Sequence, residues 1–364
     1  MFKSLLRDRK LISLLVLALL IKLFSLKPEW VESLYTYGFY PWLSRLMRVI
    51  LGWIPFSIGD ILYVTAFIFL VLKTWKLLHL LARRQVKEYL SWILFRKYLK
   101  LVLWIYIIFN VSWGLNYNRL GIANQLHLDV QPYTISDLTK ITNLLQQRLN
   151  YYAERTDSVK RLELNRSSRL FQRGISSYDS VLNSYPYLKY QFPSIKPSIF
   201  SSVGHYFGFS GYINPFTGEA QMNVSEPVFL KPFVINHEIA HQLGYGKENE
   251  ASFVSYLVIK NTTDVDFNYS VYYELFFSAL YECRANGDTT IGKKLRESLH
   301  PRVRIDKAEE ISFRMKRKNA VQPYVTDFYS NYLKMNNQPN GMATYNQVIA
   351  WLIAYWKKYG DEVI

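Results

Sequence analysis

Three apolar runs in the first third constrain this chain more than any other feature. Residues 11–26 read LISLLVLALLIKLFSL, residues 58–72 IGDILYVTAFIFLVL, and residues 101–117 LVLWIYIIFNVSWGLNY. A segment that buries its backbone in hydrocarbon must satisfy it internally, as a helix does, and about 20 apolar residues cross a bilayer. Each run is short of that length, yet their clustering predicts three transmembrane helices rather than three buried core helices. Lys22 is the one charge in the first run and lies near its far end, where a long side chain can reach the interface. No small-x-small cleavage site follows, so the run is expected to be a retained span and not a removed signal peptide.

The formal net charge of +16 would suit a nucleic-acid partner. Its placement argues against one. Residues 1–114 carry 16 Lys and Arg against 5 Asp and Glu, whereas the remainder carries 28 against 23. The segment 73–100 holds Lys73, Lys76, Arg83, Arg84, Lys87, Arg96, Lys97 and Lys100, with Glu88 its only acid. Positive loops between spans stay cytoplasmic. The expectation is therefore a multi-pass protein of the cytoplasmic (inner) membrane, with the lipid bilayer as partner and no nucleic acid. Residues 1–116 form the membrane domain. Residues 117–364 form an extracytoplasmic, periplasmic domain. The aromatic-rich stretch 33–56 is expected to lie on the outer surface. One cysteine, Cys283, makes no intramolecular disulfide and no cysteine-based zinc site.

In the outer part, Thr134 to Tyr152 predicts a helix, with Thr134 or Ser136 as cap and Ile141, Leu144, Leu145 and Leu149 on one face. Residues 197–223, rich in Ser, Gly and aromatics, predict strands and turns. The fold class is thus mainly α with a small β-sheet (α+β).

Chemistry concentrates in Lys231-Pro-Phe-Val-Ile-Asn-His237-Glu238-Ile-Ala-His241-Gln-Leu-Gly244. Pro232 suits a first helical turn and Gly244 the residue beyond the last. Residues four apart share a helical face, so His237 and His241 can direct both imidazoles at one ion. Zn²⁺ accepts neutral imidazole nitrogen readily and is the expected cofactor. Glu238, one position round from His237, is too displaced to ligate and suits the general base toward a zinc-activated water. A structural site would need no such carboxylate.

For the third ligand, Lys247 stands where the HExxHxxGxxH pattern would need histidine, which leaves Glu248 and Glu250. Glu250 opens the apolar run Ala251, Phe253, Val254, Tyr256 and Leu257 and is preferred, because a ligand on a packed helix is held more rigidly than one in a loop. His205, Tyr206, Tyr212, Tyr272 and Tyr273 flank the motif without an assigned role.

HEIAHQLGYGKENEASF, preceded by GYINPFTGEAQMN, resembles the membrane-anchored HExxH proteins grouped as domain of unknown function 3810. IPFSIGDILY at 54–63, WGLNYNR at 113–119 and the carboxy-terminal residues 328–356 extend that resemblance over nearly the whole chain. Glu250-Ala251 is also similar to the start of a ligand-bearing helix in zinc peptidases with a glutamate third ligand. That likeness implies a zincin-like core with Glu250 on the metal. The function expected is a zinc metallopeptidase that hydrolyses peptide or protein substrates outside the cytoplasmic membrane. The alternative is a zinc-binding membrane sensor or scaffold with little or no catalysis.

Overall fold

The computed structural model describes residues 8–83, 92–286 and 289–364. Arg84, Lys87 and Glu88 of the basic segment lie outside these residues. The chain is mostly helical, with one three-stranded sheet.

Helix Ile58–Ala82 is long and apolar enough to cross a membrane, and none of its apolar stretch is buried among the described residues. Phe67, Leu70, Leu72 and Trp75 all face outward. Its start follows from the sequence, since the Ser57 hydroxyl caps it by accepting the Asp60 N–H at 2.9 Å. The first apolar run forms helix Arg9–Ser25, which meets the helical run Pro28–Leu51 at a bend of 97°. The stretch 33–56 is thus helical over most of its length.

Among the described residues, one helix meets the requirement for a span, or two if the bent pair is one broken span. This is not clearly the expected three. The third run sits in helix Trp92–Ser112, whose first half carries Arg96, Lys97 and Lys100. Lys100 and Arg96 reach Asp8 at 2.9 and 3.7 Å. The uncharged part is therefore confined to residues 101–112, well short of about 20 residues.

The apolar interior divides in two. One cluster gathers Leu14, Ile21, Val31, Tyr35, Tyr40, Ile107, Trp113, Leu115 and Tyr117. The larger begins at Ile122 and runs to Ile364. In the latter, helix Ile135–Arg155 starts on a reciprocal cap between Thr134 and Asp137 and buries Leu138, Ile141, Leu145 and Leu149 against helix Val265–Ala285. Between residues 195 and 222 the chain forms β1 (Ile195–Pro197), β2 (Gly211–Ile213) and β3 (Ala220–Met222). The buried β3 is central, parallel to β1 and antiparallel to β2, with Tyr212 opposite Gln221. β2 is thus an edge strand. Helices Lys231–Gln242 and Glu248–Ile259 pack on each other, the first also packs on this sheet, and nearly every residue of both is buried.

Candidate metal centre

Pro232 stands in the first turn of helix Lys231–Gln242, where a missing N–H goes unnoticed. Two residues beyond the helix end stands Gly244, which has φ +88°. A Cβ there would also lie 2.9 Å from the Tyr40 ring and 3.0 Å from Asn116 Oδ1, so both backbone and space require glycine. The short turn returns the chain directly into helix Glu248–Ile259.

The imidazoles of His237 and His241 sit one turn apart, with centroids 4.7 Å apart and rings nearly perpendicular at 88°. His241 Nδ1 lies 2.7 Å from the Tyr245 carbonyl, which can only accept, so Nδ1 carries a proton and Nε2 is the nitrogen turned toward Glu248. His237 Nδ1 rests 3.2 Å from Ser252 Oγ. Both Nε2 atoms turn toward one oxygen. Glu248 Oε2 is 3.1 Å from His237 Nε2 and 3.5 Å from His241 Nε2. One ligand atom from each of the three residues falls within 4.8 Å of the others. Two imidazole nitrogens and a carboxylate oxygen are a donor set that fits a divalent cation such as Zn²⁺.

Glu250, preferred on sequence grounds, is not at this cluster. The helix begins at Glu248, two residues earlier than the apolar run implied. Two positions are about 200° apart round a helix, so the two glutamates face opposite ways. Glu250 is wholly buried beside Gly121, with Lys247 Nζ 3.7 Å away. Burial raises its pKa, opposed by Lys247 and by Arg119.

Glu238 is buried, and its carboxylate lies on the backbone of β2. A Cβ on Gly211 would come within 2.5 Å of Glu238 Oε1. Glu238 Oε2 has no hydrogen-bond partner among the described residues. Burial pushes its pKa up to about 8, the Glu248 charge adding and His241 opposing. Burial disfavours charge on His241 too, but the Glu248 carboxylate outweighs it and raises that imidazole to about 9. His237 is lowered by burial. For Glu248 the two imidazoles overcome burial and hold the carboxyl far below its ordinary range.

A second layer braces these groups. The Tyr329 hydroxyl donates to Glu248 Oε1 at 2.9 Å, and Gln338 Oε1 accepts the Glu248 N–H at 3.0 Å. Tyr345 stacks on His237 at 6.2 Å. Trp113 Nε1 donates to the His241 carbonyl at 3.1 Å. Sequence reasoning missed all four. Ser252 had a signal, since it stands one turn after Glu248 on the same face. The tyrosines and Gln338 lie about a hundred residues downstream in a chain with 29 tyrosines, and nothing local marks them.

The unassigned candidates lie elsewhere. His205 pairs with Asn223 at 3.0 Å, Tyr212 donates to Asp60 at 2.6 Å, Tyr272 stacks on Tyr152 and Tyr273 donates to Glu310. Tyr206 is half exposed.

The model of the family described as Protein of unknown function (DUF3810) matches residues 35–353. The chain belongs to that family. No curated protein and no solved structure matches it. In this DUF3810 member the matched span includes Trp113, both histidines, Glu238, Glu248, Tyr329 and Tyr345, so the whole cluster falls within the family's common region.

Proposed function

We propose that this DUF3810 protein is a membrane-anchored zinc-dependent hydrolase, a peptidase of zincin-like type acting outside the cytoplasmic membrane. His237, His241 and Glu248 would hold Zn²⁺, and Glu238 would serve as general base. The observation that carries this reading is the convergence of both Nε2 atoms on Glu248 Oε2, with an unpartnered Glu238 carboxylate oxygen on the same helix. The ion, when bound, supplies Lewis acidity toward a carbonyl oxygen and acidifies water.

The chain's own residues supply the rest. Glu238, buried on the same helix as the two histidines and with one carboxylate oxygen unpartnered, is placed to take and return a proton. It accepts the proton of the attacking water and delivers it to the leaving amine nitrogen. The Tyr245 carbonyl and Ser252 hydroxyl fix the orientation of the imidazoles, and Tyr329 fixes Glu248. An extended substrate suits the half-exposed edge of β2, where Gly211 brings backbone up to Glu238. The basic segment and the apolar helices support an inner-membrane location with the residues after 117 outside.

One observation favours the second reading, a zinc-binding sensor or scaffold with little catalysis. Trp113, packed in the cluster of the apolar helices, grips the His241 carbonyl and so joins the site to the membrane part. Glu238→Gln separates the two. In the full chain it is expected to keep its metal and to lose at least about a hundredfold in peptide hydrolysis. Full hydrolysis in that variant contradicts the enzyme, and intact biological function without hydrolysis selects the sensor.

A further inference from the structure

A cavity of about 200 Å³ lies behind the carboxy-terminal end of helix Lys231–Gln242, where Gln242 and Leu243 line it. None of His237, Glu238, His241 or Glu248 does. Its other wall is helix Tyr40–Leu51. Four cationic side chains line it, Arg45, Arg48, Arg119 and Lys189, and no carboxylate does. Arg119 is already matched, by a two-pronged pair with Glu32 at 3.0 and 3.1 Å and by the Gly244 carbonyl at 3.0 Å.

Arg48 meets the Tyr190 hydroxyl but no carboxylate among the described residues. It is only 5 % exposed, and its Nε and Nη1 have no hydrogen-bond partner among the described residues. Its guanidinium stands 5.1 Å over the Tyr190 ring. A buried guanidinium with open donors is expensive unless an anion meets it. Arg45 and Lys189 are exposed on the same cavity and make no ion pair among the described residues.

We propose that this Arg48-centred cavity binds a phosphate group. A guanidinium presents a planar fork that matches phosphate oxygens, and two further cations suit a ligand of more than one negative charge. At about 200 Å³ the cavity has room for a phosphate group. Its neighbourhood bears on the source. The opposite side of helix Tyr40–Leu51 exposes Trp42, Leu46, Val49 and Ile50, and Trp53 follows at 78 % exposure. An amphipathic helix with outward tryptophans lies at the level of lipid headgroups. The phosphate of a phospholipid headgroup and a free phosphate share the chemistry, and the experiment tells them apart.

The full chain in maltoside micelles is titrated with inorganic phosphate while its unfolding temperature is followed. In parallel it is placed in nanodiscs of phosphatidylcholine, with and without phosphatidylglycerol, and retained phospholipid is counted by native mass spectrometry. A saturable phosphate shift without retained lipid identifies free phosphate. Retained phospholipid identifies the headgroup. Arg48→Gln is expected to weaken whichever binding occurs by about tenfold or more. Should that variant fail to fold, the exposed pair Arg45→Gln with Lys189→Gln carries the same expectation. No phosphate shift and no retained phospholipid in the wild type overturns the proposal, as does undiminished binding in a folded variant.

Discussion

Glu219 Oε2 accepts the backbone N–H of Gly59 at 2.6 Å, and its second oxygen accepts that of Ile58 at 3.2 Å. A residue immediately before β3 thus occupies the amino terminus of the apolar helix Ile58–Ala82, where orphan N–H groups and the helix dipole favour a carboxylate. Gln221 adds a bond to Ser57 Oγ at 2.9 Å, and Asp60 receives both Tyr212 and the Ile199 N–H. The sheet that supports Glu238 is therefore tied to the same turn that begins the apolar helix.

Glu219→Ala takes the carboxylate from the buried Gly59 N–H and the part-buried Ile58 N–H. It is expected to destabilise the full chain by about 1–2 kcal/mol, seen as a lower unfolding temperature in detergent. An unchanged unfolding temperature would show that the tie contributes nothing.

Gly211→Ala addresses Glu238, the proposed general base, without touching a proposed ligand. The added methyl collides with Glu238 Oε1, so the carboxylate must turn away. Metal content is expected to stay at the wild-type level while kcat for peptide hydrolysis falls about tenfold or more, since small misplacements of a catalytic group are costly. Equal kcat in the variant would remove Glu238 from the reaction or show that β2 yields freely.

Glu310 and Glu274 predict opposite responses to pH. Glu310 accepts bonds from Tyr273, Lys307 and Arg314 at 2.7, 2.9 and 2.7 Å. Burial opposes its ionisation, but the Lys307 and Arg314 charges hold its carboxyl down at about 2. Its folded pKa lies below the unfolded value of about 4.3, so its stabilisation is present above that pH and is lost as pH falls toward the folded pKa. Burial, then the Glu310 charge, push half-buried Glu274 up to about 7. There the folded state holds the extra proton, and stability is lost as pH rises through 7. Glu274→Gln should therefore gain stability over wild type as pH rises from about 5 to about 8. Unfolding temperatures at several pH values measure it, and a difference independent of pH contradicts the assignment.

What the sequence made legible depended on how local the information was. His237, Glu238 and His241 share one turn of one helix, so their spacing alone placed both imidazoles on one face. Glu248 depended on where the next helix starts, and a start two residues early reverses the outward direction of each glutamate. The apolar run after Glu250 pointed to packing, and packing is what Glu250 does. Tyr329, Gln338 and Tyr345 arrive by tertiary folding from the far end of the chain and had no periodic or motif signal. The helix at Trp92–Ser112 joins a charged half to an apolar half, which run length by itself did not separate. The cap at Thr134 and the strands around Gly211 and Ala220 rest on local turn chemistry and were readable.

The most direct test is metal content of the purified full chain, in wild type and in two glutamate variants. Wild type is expected to carry about one zinc per chain. Glu248→Ala should lose it, while Glu250→Ala, where the chain folds, should keep it. Absence of metal from zinc-supplied wild type, or full metal content in Glu248→Ala, would contradict the account.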